Sequence, residues 1–176
     1  LLKRKPLLKH GITVLIGPGH NGGDGAVIAR ELFLKGYLVK VWCPFPIKKS
    51  LTIDHLNYLT SIGVTKLVAP PDANGNELWI DAVFGNNQTR RVDNKLIKLF
   101  VQKFHNKYGK IVSIDVPTGL CPDKGEPFSD NAVKANYTLA IGLNKIGLMQ
   151  DSALPFIGEL NHIDIGLPTN KLSNVE

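Results

Sequence analysis

Residues 12–25 read ITVLIGPGHNGGDG: five aliphatic or β-branched residues, Ile12–Ile16, run straight into a segment with glycine at positions 17, 19, 22, 23 and 25. A short apolar run that stops at a glycine predicts a buried strand of a parallel sheet. The residues that follow, AVIARELFLKG, set Val27, Ile28, Leu32 and Leu34 among helix formers, with Asp24 placed to cap the helix and Gly36 to stop it. Strand, tight turn and helix in that order open an α/β fold. Gly17–Gly22 also fits the spacing G-x-G-x-x-G. Glycines leave the backbone unshielded, and a helix adds its positive N-terminal end, so the segment predicts a site for an oxygen-rich ligand, phosphate first. The alternative is a tight turn that holds nothing.

The pattern repeats along the chain. Further strands are predicted at 38–42, 66–68, 78–85, 111–115, 137–142 and 159–166, and further helices over 52–63 and after Asp93 through KLIKLFVQKF. Apolar strands alternating with amphipathic helices predict a mostly parallel sheet flanked by helices, and 176 residues with 43% hydrophobic content suffice for one such domain. Ligands of such sheets bind at the carboxyl ends of the strands, where strand order reverses. The polar residues at those ends therefore carry the functional weight.

The second strand ends in Trp42-Cys43-Pro44-Phe45, without the acid that holds ribose hydroxyls in ordinary dinucleotide folds. The standard mode of holding NAD is thus not predicted. Asp81 lies inside the run LWIDAVF, where a carboxylate must be paired, bound to a metal or set at the open end of the strand. Gly85-Asn86-Asn87-Gln88-Thr89-Arg90-Arg91 follows, a polar loop whose guanidinium groups can grip phosphate. Asp115 closes the next strand, and Pro117 and Gly119 form a sharp turn around Thr118, which makes Asp115 a candidate general acid or base. Asn21, Asp24, Asp81, Asp115 and Thr118 together form a set of oxygen donors without thiol or imidazole, suited to a hard cation.

Other chemistries find little support. His10, His20, His55, His105 and His162 are scattered, with only His20 in the glycine segment, and Ser113 has no G-x-S-x-G elbow around it. Cys43 and Cys121 make neither a metal pattern nor a disulfide framework, which fits a reducing cytoplasm. The net charge of +6 is spread over Lys3-Arg4-Lys5, Lys48-Lys49 and Arg90-Arg91, with no aromatic-rich signature beside them, so no nucleic-acid partner is expected. No apolar run reaches eighteen residues, and the start LLKRKPLLKHG lacks a signal peptide's apolar length, so neither a membrane span nor secretion is expected.

The motifs GPGHNGGDGAVIAREL, DAVFG and SIDVPTG, followed by AVKANYTLAIGLNKIGL and IGELNHIDIGLP, make the chain similar to the NAD(P)H-hydrate epimerases, the YjeF N-terminal domain family. The resemblance covers nearly the whole chain, in the family's order. It implies a Rossmann-like, three-layer αβα domain over 1–176 that epimerises hydrated NADH or NADPH (NADHX or NADPHX) at C6 and binds K+. By motif, Asn21, Asp81 and Thr118 would be the potassium ligands. His20, Asn21, Gly22, Gly23, Asp24 and the segment Gly85, Asn86, Asn87, Gln88, Thr89, Arg90 and Arg91 would line the substrate, and Asp115 would be its acid/base. The family departs from this chain in three places: many members have Asn where His20 stands, a more glycine-rich segment where Asn86-Asn87-Gln88 stands, and helices before the first strand. The resemblance also allows a homodimer and implies coupling to an NAD(P)HX dehydratase, whose domain would begin after IDIGLP. The same fold serves non-catalytic binding modules, which leaves a scaffold as the alternative to the enzyme. With no acidic ribose reader, both NADHX and NADPHX remain as substrates.

Overall fold

A computed structural model describes residues 6–89, 91–107 and 109–167. The elements are β1 (Ile12–Ile16), α1 (His20–Leu34), β2 (Val39–Trp42), α2 (Ser50–Ser61), β3 (Thr65–Lys66), β4 (Leu78–Ala82), α3 (Asn94–His105), β5 (Lys110–Ile114), β6 (Tyr137–Ile141), α4 (Leu154–Ile157) and β7 (Glu159–Ile163). The seven strands form one sheet of order β3-β2-β1-β4-β5-β6-β7 in which every neighbouring pair is parallel. This is the Rossmann-like α/β fold that the alternation predicts. Strand order reverses between β1 and β4, so the crevice for a ligand opens above their carboxyl ends.

The central strands β1 and β4 are buried along their whole length because helices cover both faces of the sheet there. On one face Val14, Ile16 and Ile80 pack with Ala26, Ala29 and Leu32 of α1 and with Leu56 and Leu59 of α2. On the other face, Leu15, Trp79 and Ile111 meet Leu96, Ile97 and Phe100 of α3, with Trp79 and Phe100 edge to face at 5.8 Å. Asp93 caps α3 as its position predicts, its side chain accepting from the Lys95 amide at 2.6 Å. Lys103, fully buried, donates to the Gly75 carbonyl at 2.6 Å and lies 5.1 Å over the Trp79 ring. Burial lowers its pKa below the usual lysine range, offset by the charges of Glu77 and Asp72. Beyond β5 the covering layer becomes irregular: residues 115–136 cross with only a Leu120–Pro127 bridge, and two 3-10 turns lead into α4.

The first helix departs from the sequence expectation in an informative way. It begins at His20, with Gly19 as its N-cap, so Asn21-Gly22-Gly23-Asp24 forms its first turns and Asp24 is not the cap. The glycines explain this. A Cβ on Gly22 would lie 2.0 Å from the Gly17 carbonyl oxygen, and one on Gly25 would lie 2.4 Å from the Ala82 Cβ. Gly17 itself approaches the Val83 carbonyl so closely that a Cβ would stand 1.7 Å from its oxygen. These three glycines let α1 descend onto the ends of β1 and β4, which is how its N-terminus reaches the crevice. Thr52, expected as the cap of the second helix, is instead buried within α2, which starts two residues earlier at Ser50.

Close packing at Gly25 and open space at Gly23 give a matched test. Gly25→Ala should cost about 1–3 kcal/mol through overpacking against Ala82. Gly23→Ala meets only Thr52 Oγ1 at an ordinary 3.4 Å and should be neutral or stabilising by up to about 1 kcal/mol, since alanine favours a helix interior. Urea unfolding of the two variants checks the contrast.

Candidate active site

The segment after β1 reaches the crevice bare. No side chain caps α1, so its first amides keep their donor capacity and the positive end of the helix points over β4. Asn21, in the first turn, has both its Oδ1 and its Nδ2 buried without any hydrogen-bond partner. Buried side-chain amides are nearly always satisfied, so an orphan of this kind marks a place where something binds. It lies against Gly85, whose added Cβ would be 3.1–3.2 Å from the Asn21 amide and 3.0 Å from Asp115 Oδ2. Three strand ends thus meet at Gly85.

Beneath them lies Asp81, with no exposed surface at all. Its Oδ2 accepts from Ser113 Oγ and the Thr118 amide, both at 2.9 Å; its Oδ1 accepts from Thr118 Oγ1 at 2.7 Å and the Val83 amide at 3.3 Å. Burial pushes its carboxyl above the ordinary range, and the bonds from Thr118, Ser113 and Val83 pull back. Parallel register puts Asp81 directly opposite Ser113, which explains the first of these contacts. Thr118 Oγ1 also accepts from the Phe84 amide at 3.0 Å. Carboxylate, hydroxyl and amide oxygens here form a hard donor set, and among the described residues no cluster of His, Cys, Asp and Glu suits a softer metal. Of the oxygens expected to hold a cation, Asn21 Oδ1 has no partner, while Asp81 and Thr118 are engaged with one another and with neighbouring amides.

Asp115 follows β5 directly, and its backbone is left-handed at φ +68, the one such non-glycine among the described residues. Such backbone costs on the order of 1–3 kcal/mol and persists only where the surroundings enforce it. The Asp115 amide donates to the Leu139 carbonyl at 2.8 Å, and the Val116 amide to the Ile114 carbonyl at 2.9 Å, which lock the turn. The carboxylate then turns into the crevice. Its Oδ2 accepts from the Asn86 amide at 2.9 Å, and its Oδ1 accepts from the Ile141 amide at 3.4 Å and from Lys145. Asp24 stands nearby on α1: burial, and then the Asp115 charge, push its carboxyl above the ordinary value, with His20 acting in the opposite sense.

The segment after β4 divides into two parts. Gly85 and the Asn86 amide face Asp115, while Asn87 and Thr89 are exposed. Gln88, expected along the substrate, is buried, and its amide is spent inside the protein: Nε2 donates to the Pro117 carbonyl at 3.1 Å and Oε1 accepts from the Gly119 amide at 2.7 Å. It fastens this loop to the turn that carries Thr118. Arg91 is exposed and donates from Nε to the Phe128 carbonyl at 3.2 Å, and Arg90 lies outside the described residues. Lys145 escaped the sequence reading because attention at the strand ends went to acids; its signal was its place four residues beyond β6. A groove of about 490 Å3 lies aside from these groups, at the end of β2 between Phe45, Ile47, Ile53 and Lys66.

Fold and site define a Rossmann-like α/β domain with an oxygen-lined crevice at its switch point. The chain belongs to the family described as YjeF-related protein N-terminus, which matches residues 1–147. It is 40% identical over 166 residues to the bifunctional NAD(P)H-hydrate repair enzyme Nnr of Gloeobacter violaceus, a match that covers 93% of this chain and 32% of that protein. It is 32% identical over 181 residues to the NAD(P)H-hydrate epimerase of Lentilactobacillus buchneri, covering 95% of this chain and 78% of the relative. The chain thus spans about a third of the bifunctional relatives and most of the shorter one. Among solved structures, that of yeast ynu0, YNL200c, superposes with a TM-score of 0.70 at 24% identity, over 88% of this chain and 65% of the other, and shares the fold.

Two outcomes follow from the carboxylates. Asp81→Ala strands four buried donors at once and should lower the unfolding free energy by about 3–5 kcal/mol in urea titrations. Asp24 binds its proton more tightly folded than unfolded, where its pKa is about 3.9. Its stabilising contribution is therefore present at low pH and lost as pH rises through the folded value. Asp24→Asn should gain stability relative to the parent as pH rises above about 3.9. Unfolding curves at a series of pH values check it, and a difference flat in pH would count against the shift.

Proposed function

We propose that this chain is an NAD(P)H-hydrate epimerase, which interconverts the R and S forms of hydrated NADH and NADPH at C6. The observation that carries the reading is Asp115, held in a strained turn with its carboxylate against Gly85 and the unpartnered amide of Asn21. Membership of the family, and relatives named for this activity, support it. The first turn of α1 would meet the substrate's phosphates with its amides. No ribose-holding acid follows β2, which suits a nucleotide that comes as a substrate and leaves again.

In the reaction, Asp115 delivers a proton to the C6 hydroxyl as the ring nitrogen's lone pair forms the C=N bond and the C6–O bond breaks. Water departs, the flat ring is open on both faces, and returning water gives its proton back to the Asp115 carboxylate. Potassium is the cation proposed for the oxygen set, with Asn21, Asp81 and Thr118 to hold it. Bound there, it would supply a fixed positive charge beside the crevice for the oxygen-bearing groups of the substrate. The best-covered bifunctional relatives favour a companion reading: the chain supplies one epimer to an NAD(P)HX dehydratase, joined to it or separate. Two free cysteines and the absence of a membrane-length apolar helix among the described residues agree with work in the cytoplasm.

The approach to equilibrium from one pure epimer, followed by chromatography, tests this. Wild-type chain should accelerate it, Asp115→Asn should lose on the order of 10²- to 10⁴-fold, and exchange of potassium for tetramethylammonium should slow it. No acceleration by folded wild-type chain in potassium would replace the enzyme with a binding module.

A further inference from the structure

Among the described residues, Lys145 is the lysine or arginine that pairs with the Asp115 carboxylate. Its Nζ donates to Asp115 Oδ1 and, at 2.8 Å, to the Ile141 carbonyl, and each of the paired side chains keeps only 13% of its surface exposed. Two anchors on one ammonium fix its position, and the ammonium in turn occupies one carboxylate oxygen. The other oxygen, Oδ2, lies along Gly85 and beside Asn21. Asp24 stands close enough that, after burial, the Asp115 charge adds to the upward push on its carboxyl. No other lysine or arginine among the described residues makes an ion pair with either carboxylate.

We propose that Lys145 is the positioning residue of the acid/base. It holds Asp115 by Oδ1 so that Oδ2 faces the substrate. The inference rests on the epimerase reading for its kinetics but not for its geometry. Lys145 acts through Asp115 and touches neither C6 nor the departing water. A residue in this role affects the chemical step more than substrate binding, and another cation with suitable reach should replace it in part.

The test uses the intact chain with Lys145→Met and Lys145→Arg, each assayed for epimerisation and each examined by the amide resonance of Asn86, which reports the position of Oδ2. Lys145→Met should reduce kcat on the order of 10²-fold with KM changed less than about threefold. Lys145→Arg should recover at least about tenfold of that loss, and methylammonium should restore Lys145→Ala in a saturable way. The Asn86 resonance should move in Lys145→Met and stay near its parent position in Lys145→Arg. Unchanged kcat in folded Lys145→Met, a loss confined to KM, or an arginine variant as impaired as the methionine one would each overturn the proposal. If wild-type chain proves inert, the epimerase reading falls separately, and the Asn86 resonance alone decides: movement with Met but not Arg sustains the positioning role, and no movement ends it.

Discussion

The carboxylate of Asp81 organises everything above it. It is wholly buried between β1 and β5, and a charge in such a place is tolerable only when its lone pairs are filled. Four donors fill them, and three come from beyond the strand's own neighbourhood: one from Ser113 and two from Thr118. The turn after β5 is thereby fastened to the middle strand of the sheet. Thr118 passes the constraint on by accepting from the Phe84 amide, which fixes the chain just before Gly85. Gln88 repeats the device one layer out, tying its loop to the same turn through Pro117 and Gly119. Two loops from different strands become one rigid rim.

That rigidity is what allows Asp115 to be strained. A left-handed aspartate in a loose loop would relax into an ordinary conformation, since the cost of about 1–3 kcal/mol is comparable with the gain from a hydrogen bond or two. Here its neighbours on both sides are pinned, by the Leu139 carbonyl through its own amide and by the Asp81 network three residues on. The strain turns the side chain away from the sheet and toward the crevice. Lys145 and the Asn86 amide then meet a carboxylate whose direction is already set.

Much of this was legible in the sequence, and what was not shares a physical cause. The seven strands and their parallel order follow from apolar runs and intervening helices, and Asp81 and Asp115 stood out because acids at the ends of buried strands are conspicuous. Asp93 marked the start of the third helix, and it caps that helix through a contact only two residues long. The glycines were ambiguous in sequence, since flexibility and close packing both demand glycine and only the neighbours tell them apart: Gly22 and Gly25 pack against Gly17 and Ala82. Gln88 and Lys145 were missed or misplaced for a like reason. Their partners lie about thirty positions away, and nothing local marks which glutamine is a clamp or which lysine is a counterion.

The division of labour among the carboxylates also separates this crevice from an ordinary cofactor site on the same fold. A cofactor that stays bound is held by its ribose, and the end of β2 has the apolar and aromatic residues Trp42, Pro44 and Phe45 where an acid would do that work. The acids stand instead at β4 and β5, where Asp81 is buried as a structural anion and Asp115 turns its carboxylate into the crevice. Both would be excessive for simple retention, because anionic phosphates are repelled by nearby carboxylates unless cations intervene. An ammonium at Lys145 and the positive end of α1 provide that compensation together. Such an arrangement lets an anionic group lie beside two carboxylates at the switch point.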